Sequence, residues 1–600
     1  MAERFLSKRN LRFTLFEALN IQEITQYERF ATHNRKMFDL VLDEALRMGK
    51  DLIWPACEEM DAIPPHLENG KVRVHPVVAR FMAESGEGGW IGAPFPEEHG
   101  GQELPITLAM ACQFIFSAAN YSAAVFPELS TGAAHLILSF GSPELAETYL
   151  PPMMAGKWQG TMALTEPDAG SSLSDITTEA VDSGQGYYRI RGRKIFISAG
   201  DHDAVENVVH LMLAKIPGGP PGVKGISLFV VPKLRPEGGK LVENDLICTQ
   251  VYHKMGYRGT PLTELAIGDH DNCRGFLVGE PHRGLVHMFQ MMNEARLGVG
   301  MGATGIASAA YCQALEYTRS RTQSRKMGNR DPLSPPVPII EHADIRRMLL
   351  FQRSVVEGAL SLILQCCRYS DLVSVTQGEE KERYHLLLEI LTPVAKTFPS
   401  EMGVLATSAA IQCLGGYGYC DDFPVERYFR DMRIHPIHEG TTGIQGMDLL
   451  GRKVVMQEGK ALSLFAETLA ADAKKAEEFP ETCQSGERLV LAMKRVEEVI
   501  LHLVGVAGEK GAEAYLADAA LFLEMFGQVA VAWQWLISGM AAARGLAVAK
   551  SKADRNFYQG KLLTMRYFFA YELPKIEGLA TRLTDGEALT VDMETAWFED

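Results

Sequence analysis

Strand-like sequence is confined to one stretch of this chain, from about residue 159 to about 280, and helical periodicity occupies both flanks. Within it, Tyr187-Tyr188-Arg189-Ile190, Lys194-Ile195-Phe196-Ile197-Ser198, Val208-Val209-His210-Leu211-Met212-Leu213 and Ile226-Ser227-Leu228-Phe229-Val230-Val231 are rich in β-branched and aromatic residues and are separated by Gly, Pro and Asp. An order of helices, strands, helices and more helices points to segregated α and β domains and argues against alternating βαβ units. At 600 residues the chain exceeds what one core can hold. The changes of texture divide it into an N-terminal extension (1–35), a helical domain (36–158), a β domain (159–280), a helical-bundle domain (281–455) and a further helical domain (456–600).

Charge and cysteine use exclude several classes. The net charge of −16, from 59 Lys+Arg against 75 Asp+Glu, repels a phosphate backbone, and no Lys/Arg block makes a local basic patch, so no nucleic-acid partner is expected. Ten cysteines are scattered without a CxxC pair, as in a reducing compartment. The first twenty residues lack the apolar core and small-residue cleavage site of a secretory signal, and the expected location is cytoplasmic. The most apolar stretch, Ala519 to Ala543, is interrupted by Glu524, Gln528 and Gln534 and reads as a buried or partner-facing helix, so membrane contact is not supported.

Two motifs are decoys. Gly300-Met301-Gly302-Ala303-Thr304-Gly305 spells GxGxxG, but helix-like sequence precedes it where a dinucleotide site needs a strand, so close helix packing explains its small residues. His435, His438 and Glu439 do not form HExxH, and Pro436 disfavours a two-ligand helical face; no metal is expected. Glu439 has a different reading. In His438-Glu439-Gly440-Thr441-Thr442 a lone carboxylate is followed by glycine and hydroxyls, a way for a loop to present a base, because Gly440 lets a ligand approach the backbone.

Further segments suit the same kind of site. Met162-Ala163-Leu164-Thr165-Glu166-Pro167-Asp168-Ala169-Gly170-Ser171-Ser172 runs from a strand into a loop that can offer backbone N–H groups and short side chains to a planar heterocycle. Gly192-Arg193-Lys194-Ile195-Phe196-Ile197-Ser198 adds an aromatic and a hydroxyl suited to lie along such a ring. The two segments resemble the flavin-contacting motifs of the acyl-CoA dehydrogenases, and other parts of that pattern occur in the family's order. Gly92-Ala93-Pro94-Phe95-Pro96-Glu97-Glu98-His99-Gly100-Gly101 is similar to the loop of the N-terminal domain. Tyr317-Thr318-Arg319-Ser320-Arg321 resembles the helix end whose arginine reaches the FAD diphosphate of a neighbouring subunit, and Ile411-Gln412-Cys413-Leu414-Gly415-Gly416 the segment that holds the adenine half. Pro424-Val425-Glu426-Arg427-Tyr428-Phe429-Arg430-Asp431 then leads to the Glu439 loop. The resemblance covers about residues 36 to 455.

The resemblance implies a mainly α fold with a central β domain: an N-terminal α domain, a β-barrel-like domain and a four-helix bundle, here with an extra C-terminal helical domain. It implies FAD as cofactor, contacted by Met162, Leu164, Thr165, Phe196, Ser198, Arg321, Gln412, Gly416 and Thr441. Glu439 would be the α-proton base, and Ser171, Asn293, Arg296 and Gly440 would lie on the substrate side. The implied reaction is α,β-dehydrogenation of an acyl-CoA to a 2-enoyl-CoA, with an electron-transfer flavoprotein as acceptor and a homodimer or dimer of dimers as the assembly. The alternatives are an acyl-CoA oxidase that uses dioxygen and a non-catalytic, DNA-associated flavoprotein of the same superfamily. This chain departs from the family at four places. Phe196 replaces the usual tryptophan, Ser324-Arg325-Lys326-Met327-Gly328 replaces a Phe-Gly, His438 replaces an aromatic and Gly443 a glutamine. Some members carry the base on an earlier helix, where Ala295 stands here and cannot act as one. The length resembles that of long bacterial members, among them 3-(methylthio)propanoyl-CoA and fatty acyl-CoA dehydrogenases.

Overall fold

The computed structural model describes residues 4–329 and 331–599, the side chains of residues 290–292 excepted, so the first three residues of the N-terminal extension lie outside it. The chain forms two compact units: residues 32–298, and residues 1–31 together with 299–600.

The first of these units holds an eight-stranded sheet: β1 (Trp158–Ala163), β2 (Glu179–Asp182), β3 (Tyr188–Ser198), β4 (Asn207–Lys215), β5 (Ile226–Pro232), β6 (Leu246–Val251), β7 (Leu262–Ile267) and β8 (Arg274–Val278). β3 pairs with β8, β8 with β5, β5 with β4, β4 with β2 and β2 with β3, which closes a ring and makes the domain barrel-like. β1 joins β4 in parallel, and β7 and then β6 extend from β3. The buried runs of β4 and β5 are nearly uniformly apolar because both faces are covered. Met212, Ala214, Phe229 and Val231 fill one core. The alternate residues Leu211, Leu213, Leu228 and Val230 pack with Ala133, Ile137, Tyr149 and Met153 from the helices Ile106–Phe140 and Pro143–Met154.

In the other unit the long helices Ala343–Val375 and Gly378–Leu414 pack side by side, and Ala519–Val548 lies against both. The Gly300–Gly305 run lies within the helix Gly284–Ser320, where a Cβ on Gly300 would stand 2.2 Å from the Ala395 carbonyl oxygen. Those small residues serve helix packing, as their sequence context indicates. Gly358 likewise admits Trp535, whose indole N–H donates to the Ser354 carbonyl at 3.0 Å. Among the described residues three helices, Ile106–Phe140, Ala343–Val375 and Ala519–Val548, are long and apolar enough to cross a membrane, but their most apolar stretches are 83%, 78% and 78% buried within the protein, which makes them core elements. Of the polar interruptions of the last, Glu524 is exposed while Gln528 and Gln534 are buried, and Ser361 donates to Gln534 Oε1 at 2.7 Å.

A buried charge network ties the N-terminal segment and the C-terminal helices to the same bundle. Lys561 lies 2.7 Å from Glu357, which also meets Arg353 at 3.0 Å, and the Lys561 ammonium donates to Asn10 as well. Arg9 donates to the Tyr558 hydroxyl at 2.9 Å, which in turn donates to Glu17 at 2.7 Å. Removing residues 456–600 would strip the apolar cover from two bundle helices and take Lys561 away from Glu357. Loss of one partner of a buried ion pair costs about 3–5 kcal/mol before any apolar exposure is counted. A chain ending at residue 455 should therefore aggregate, as size-exclusion chromatography would show; a soluble truncated protein with full activity would contradict this.

Candidate active site

In the sheet-bearing unit, the loop after β1 is pinned beside β3. Lys194, fully buried on β3, donates to the Leu164 carbonyl at 2.9 Å and to Glu166 Oε1 at 2.8 Å. Glu166 also accepts from the Thr177 N–H at 2.5 Å, the Thr177 hydroxyl at 2.8 Å and the Thr178 N–H at 3.1 Å. Burial acts to raise the Glu166 pKa, but Lys194 and these donors outweigh it and hold the group at about 2. Burial brings Lys194 down to about 8 against the opposing pull of Glu166. The pair is thus ionised at neutral pH. The Ile195 N–H donates to the Thr165 carbonyl at 2.9 Å, which sets the Thr165 loop against the Phe196 strand.

Phe196 sits at a β-bulge. Ile197 pairs with Thr263 and Lys194 with Leu265, so Ile195 and Phe196 together oppose the single residue Glu264. The extra residue is accommodated by φ +57° at Phe196, and the bulge re-aims the ring, leaving the residue 53% exposed. Tyr252 stands beside it with ring centroids 5.0 Å apart. Met162, Leu164 and Thr165 at the end of β1, and Phe196 and Ser198 on β3, are thus brought to one region of this unit, while Ser171 lies exposed on the loop between. An outward-facing aromatic pair next to a rigid loop fits a planar heterocycle such as the flavin ring. Asn293 and Arg296 both lie on the Gly284–Ser320 helix, Arg296 buried, with Glu294 between them held 2.8 Å from His135 Nδ1.

In the other unit, the Glu439 loop connects Val425–Met432 to Thr442–Asp448. Glu439 has φ +52° and Gly440 φ +84°. Lys396, fully buried on the Gly378–Leu414 helix, donates to the His435 carbonyl at 2.7 Å and to the Gly440 carbonyl at 2.8 Å. Gln445, also fully buried, donates through Nε2 to the Glu439 carbonyl at 3.0 Å. The Thr441 hydroxyl caps the following helix by accepting from the Ile444 N–H at 3.3 Å, and Thr442 donates its hydroxyl to Glu401. His435 and His438 stand edge to face at 5.3 Å. Burial pushes His435 down to about 3 and His438 well below its usual range, with Lys396 adding to both shifts. Glu439 thus directly follows a neutral imidazole, that of His438.

Arg321, Gln412 and Gly416 line a single cavity of about 620 Å³ in the same unit, together with Tyr317, His342, Tyr417 and Cys420, which the sequence reading did not assign. Gly415, at φ +61°, ends the Gly378–Leu414 helix, and no atom lies within 4 Å of where a Cβ on Gly415 or Gly416 would stand. A hollow with an arginine and bare glycine backbone at its wall fits an adenine and diphosphate. Where the family's Phe-Gly is missing, the backbone at Gln323 and Ser324 pairs with Val337: Gln323 N–H donates to the Val337 carbonyl at 3.0 Å and Val337 N–H to the Ser324 carbonyl at 3.0 Å.

Family comparisons agree with this layout. Residues 45–157, 161–270 and 282–454 match the acyl-CoA dehydrogenase N-terminal, middle and C-terminal domains, and residues 464–594 match the acetyl-CoA dehydrogenase C-terminal-like domain. The chain is 37% identical to a 3-methylmercaptopropionyl-CoA dehydrogenase of Ruegeria pomeroyi, covering 96% of this chain and 98% of that one. A butyryl-CoA dehydrogenase of Syntrophomonas wolfei is 31% identical over 98% of this chain and 97% of its own. In fold it is similar to Caenorhabditis elegans ACDH-11, solved in complex with C11-CoA, with a TM-score of 0.74 at 21% identity, covering 96% of this chain and 93% of that one. The chain belongs to the acyl-CoA dehydrogenase family, whose members are FAD flavoproteins.

The buried imidazoles yield a pH prediction. His202, His210 and His435 are held at about 3 by burial, against 6.5 for the free group. Their depressed values mean that full stability holds above about pH 6.5 and is lost progressively as pH falls toward about 3, because only the unfolded chain binds the protons readily. The thermal midpoint should fall steadily between about pH 6.5 and 4.5, before ordinary carboxylates titrate. A constant midpoint over that window would show that the imidazoles protonate without unfolding the protein.

Proposed function

We propose that Glu439 takes the α-proton of an acyl-CoA thioester in its oxidation to the 2-enoyl-CoA. The carrying observation is the Glu439 loop itself: a carboxylate in a left-handed turn, followed by glycine, with carbonyls on either side of it tied to one buried lysine. A base must be in reach of its proton before its pKa matters, and this loop is built for position. FAD, when bound, supplies the acceptor for the β-hydride. The Glu439 backbone N–H serves the thioester oxygen, where negative charge develops as the α-proton leaves. Phe196, Thr165 and Ser198 orient the flavin end of the cofactor, and Arg321, Gln412 and Gly416 its adenine and diphosphate end. By analogy with the family, that second set serves the cofactor of a neighbouring subunit in a homodimer or dimer of dimers, and an electron-transfer flavoprotein empties the reduced site.

The substrate class we assign is a short, unbranched acyl-CoA. The full-length matches to a 3-methylmercaptopropionyl-CoA dehydrogenase and a butyryl-CoA dehydrogenase support it. The test is to mix FAD-loaded protein anaerobically with 3-methylmercaptopropanoyl-, butanoyl- and longer-chain CoA thioesters. The flavin absorbance should bleach with one 2-enoyl-CoA formed per flavin, fastest for the short chains, and electron-transfer flavoprotein should restore the colour faster than dioxygen. Peroxide released at the turnover rate would assign the acceptor to dioxygen, and a flavin that no acyl-CoA bleaches would remove the assignment.

A further inference from the structure

We propose that Lys396 is a positioning residue for the reaction, holding Glu439 in its left-handed conformation by anchoring the backbone on both sides of it; this rests on Glu439 being the base. Lys396 comes from a different element, the Gly378–Leu414 helix, and is fully buried. Its Nζ lies 2.7 Å from the His435 carbonyl oxygen and 2.8 Å from that of Gly440, so one amine fixes the separation of two points that bracket the base. Between them the chain doubles back through Ile437 N–H and His438 N–H to the Ile434 carbonyl at 2.8 and 3.1 Å, and Thr442 N–H to the Pro436 carbonyl at 3.1 Å. Gln445 closes the cage by donating to Glu439's own carbonyl at 3.0 Å.

A non-glycine residue at φ +52° is held only where its surroundings over-determine it. Without the Lys396 anchor, Glu439 can relax to the right-handed region, which swings the carboxylate away from the place the loop now gives it. Gly440, at φ +84°, leaves no room for a side chain, since a Cβ there would lie 2.6 Å from Gln445 Nε2, so the turn requires glycine at that position. Misplacing a reacting group by about 1 Å costs on the order of 10²-fold in rate. Substrate affinity should change less than turnover, because Ser171, Asn293, Arg296 and the Phe196 strand lie outside the loop that Lys396 holds.

The test compares Lys396→Met, which keeps the apolar length and loses the donor, with Gln445→Met and with Glu439→Gln, all as FAD-loaded enzymes. Lys396→Met should bind FAD and lower kcat about 10²-fold with KM changed less than about threefold. Its deuterium isotope effect for α-deuterated substrate should rise above the wild-type value as C–H cleavage becomes rate-limiting. A general loss of folded enzyme would lower the apparent kcat and leave that isotope effect unchanged. Gln445→Met, which removes one hydrogen bond, should move kcat and isotope effect the same way by about tenfold in kcat, and it decides the matter if Lys396→Met does not fold. Wild-type kcat and isotope effect in these variants, with Glu439→Gln inactive, would overturn the role of Lys396 and leave the base in place. Activity retained in Glu439→Gln would remove the base assignment itself.

Discussion

Backbone carbonyls that face into a protein must find a donor, and in this chain two fully buried lysines supply one at the loops to which the proposed chemistry is assigned. Lys194 binds the Leu164 carbonyl and Glu166, fixing the loop beside the Phe196 strand. Lys396 binds the His435 and Gly440 carbonyls and fixes the turn that displays Glu439. In each case the residue displayed is a non-glycine in the left-handed region, Phe196 at +57° and Glu439 at +52°. That conformation costs on the order of 1–2 kcal/mol, and an unsatisfied buried carbonyl costs about 1–3 kcal/mol. The hydrogen bonds are therefore of the size needed to hold the strained residue in place.

The two lysines differ in how their charge is met. Lys194 has a carboxylate partner that itself receives three further hydrogen bonds, so both ions are satisfied. Such a pair is strongly damaging to break on one side, though weak as a net source of stability. The charge on Lys396 is felt by His435 and His438, which are kept neutral by burial with the lysine adding to the effect. The loop thus sets its one glutamate among groups that do not take up protons near neutral pH.

Much of this was legible in the sequence because it is carried by local pattern. Concentration of strand sequence between about 159 and 280 marks the segregated β domain, although a short hairpin of His66–Glu68 with Lys71–Arg73 lies outside it, and the nearly uniform apolar runs of β4 and β5 announce strands buried on both faces. The helical context of Gly300–Gly305 is enough to discard a nucleotide fingerprint, and the contact of Gly300 with Ala395 gives the reason for its small residues. Arg321, Gln412 and Gly416 come together on one cavity, although Arg321 lies far from the other two in the chain. What the sequence did not disclose depends on partners brought in by folding. The bulge at Phe196 is defined only by the register shift between Thr263 and Leu265 on the neighbouring strand, the cage around Glu439 by Lys396 and Gln445, and the anchoring of the N-terminal segment by Lys561 and Tyr558. A lysine inside an apolar helix pattern carries no local mark of the carbonyls it will meet.

The central claim is that the fold exists to hold one carboxylate at an acyl-CoA α-carbon, and the most direct measurement is the turnover of Glu439→Gln with its flavin content determined in parallel. The amide has the same shape but cannot accept the proton, so FAD should be retained while kcat falls by about 10³-fold. Near wild-type turnover in a fully FAD-loaded Glu439→Gln enzyme would place the base elsewhere and contradict the account.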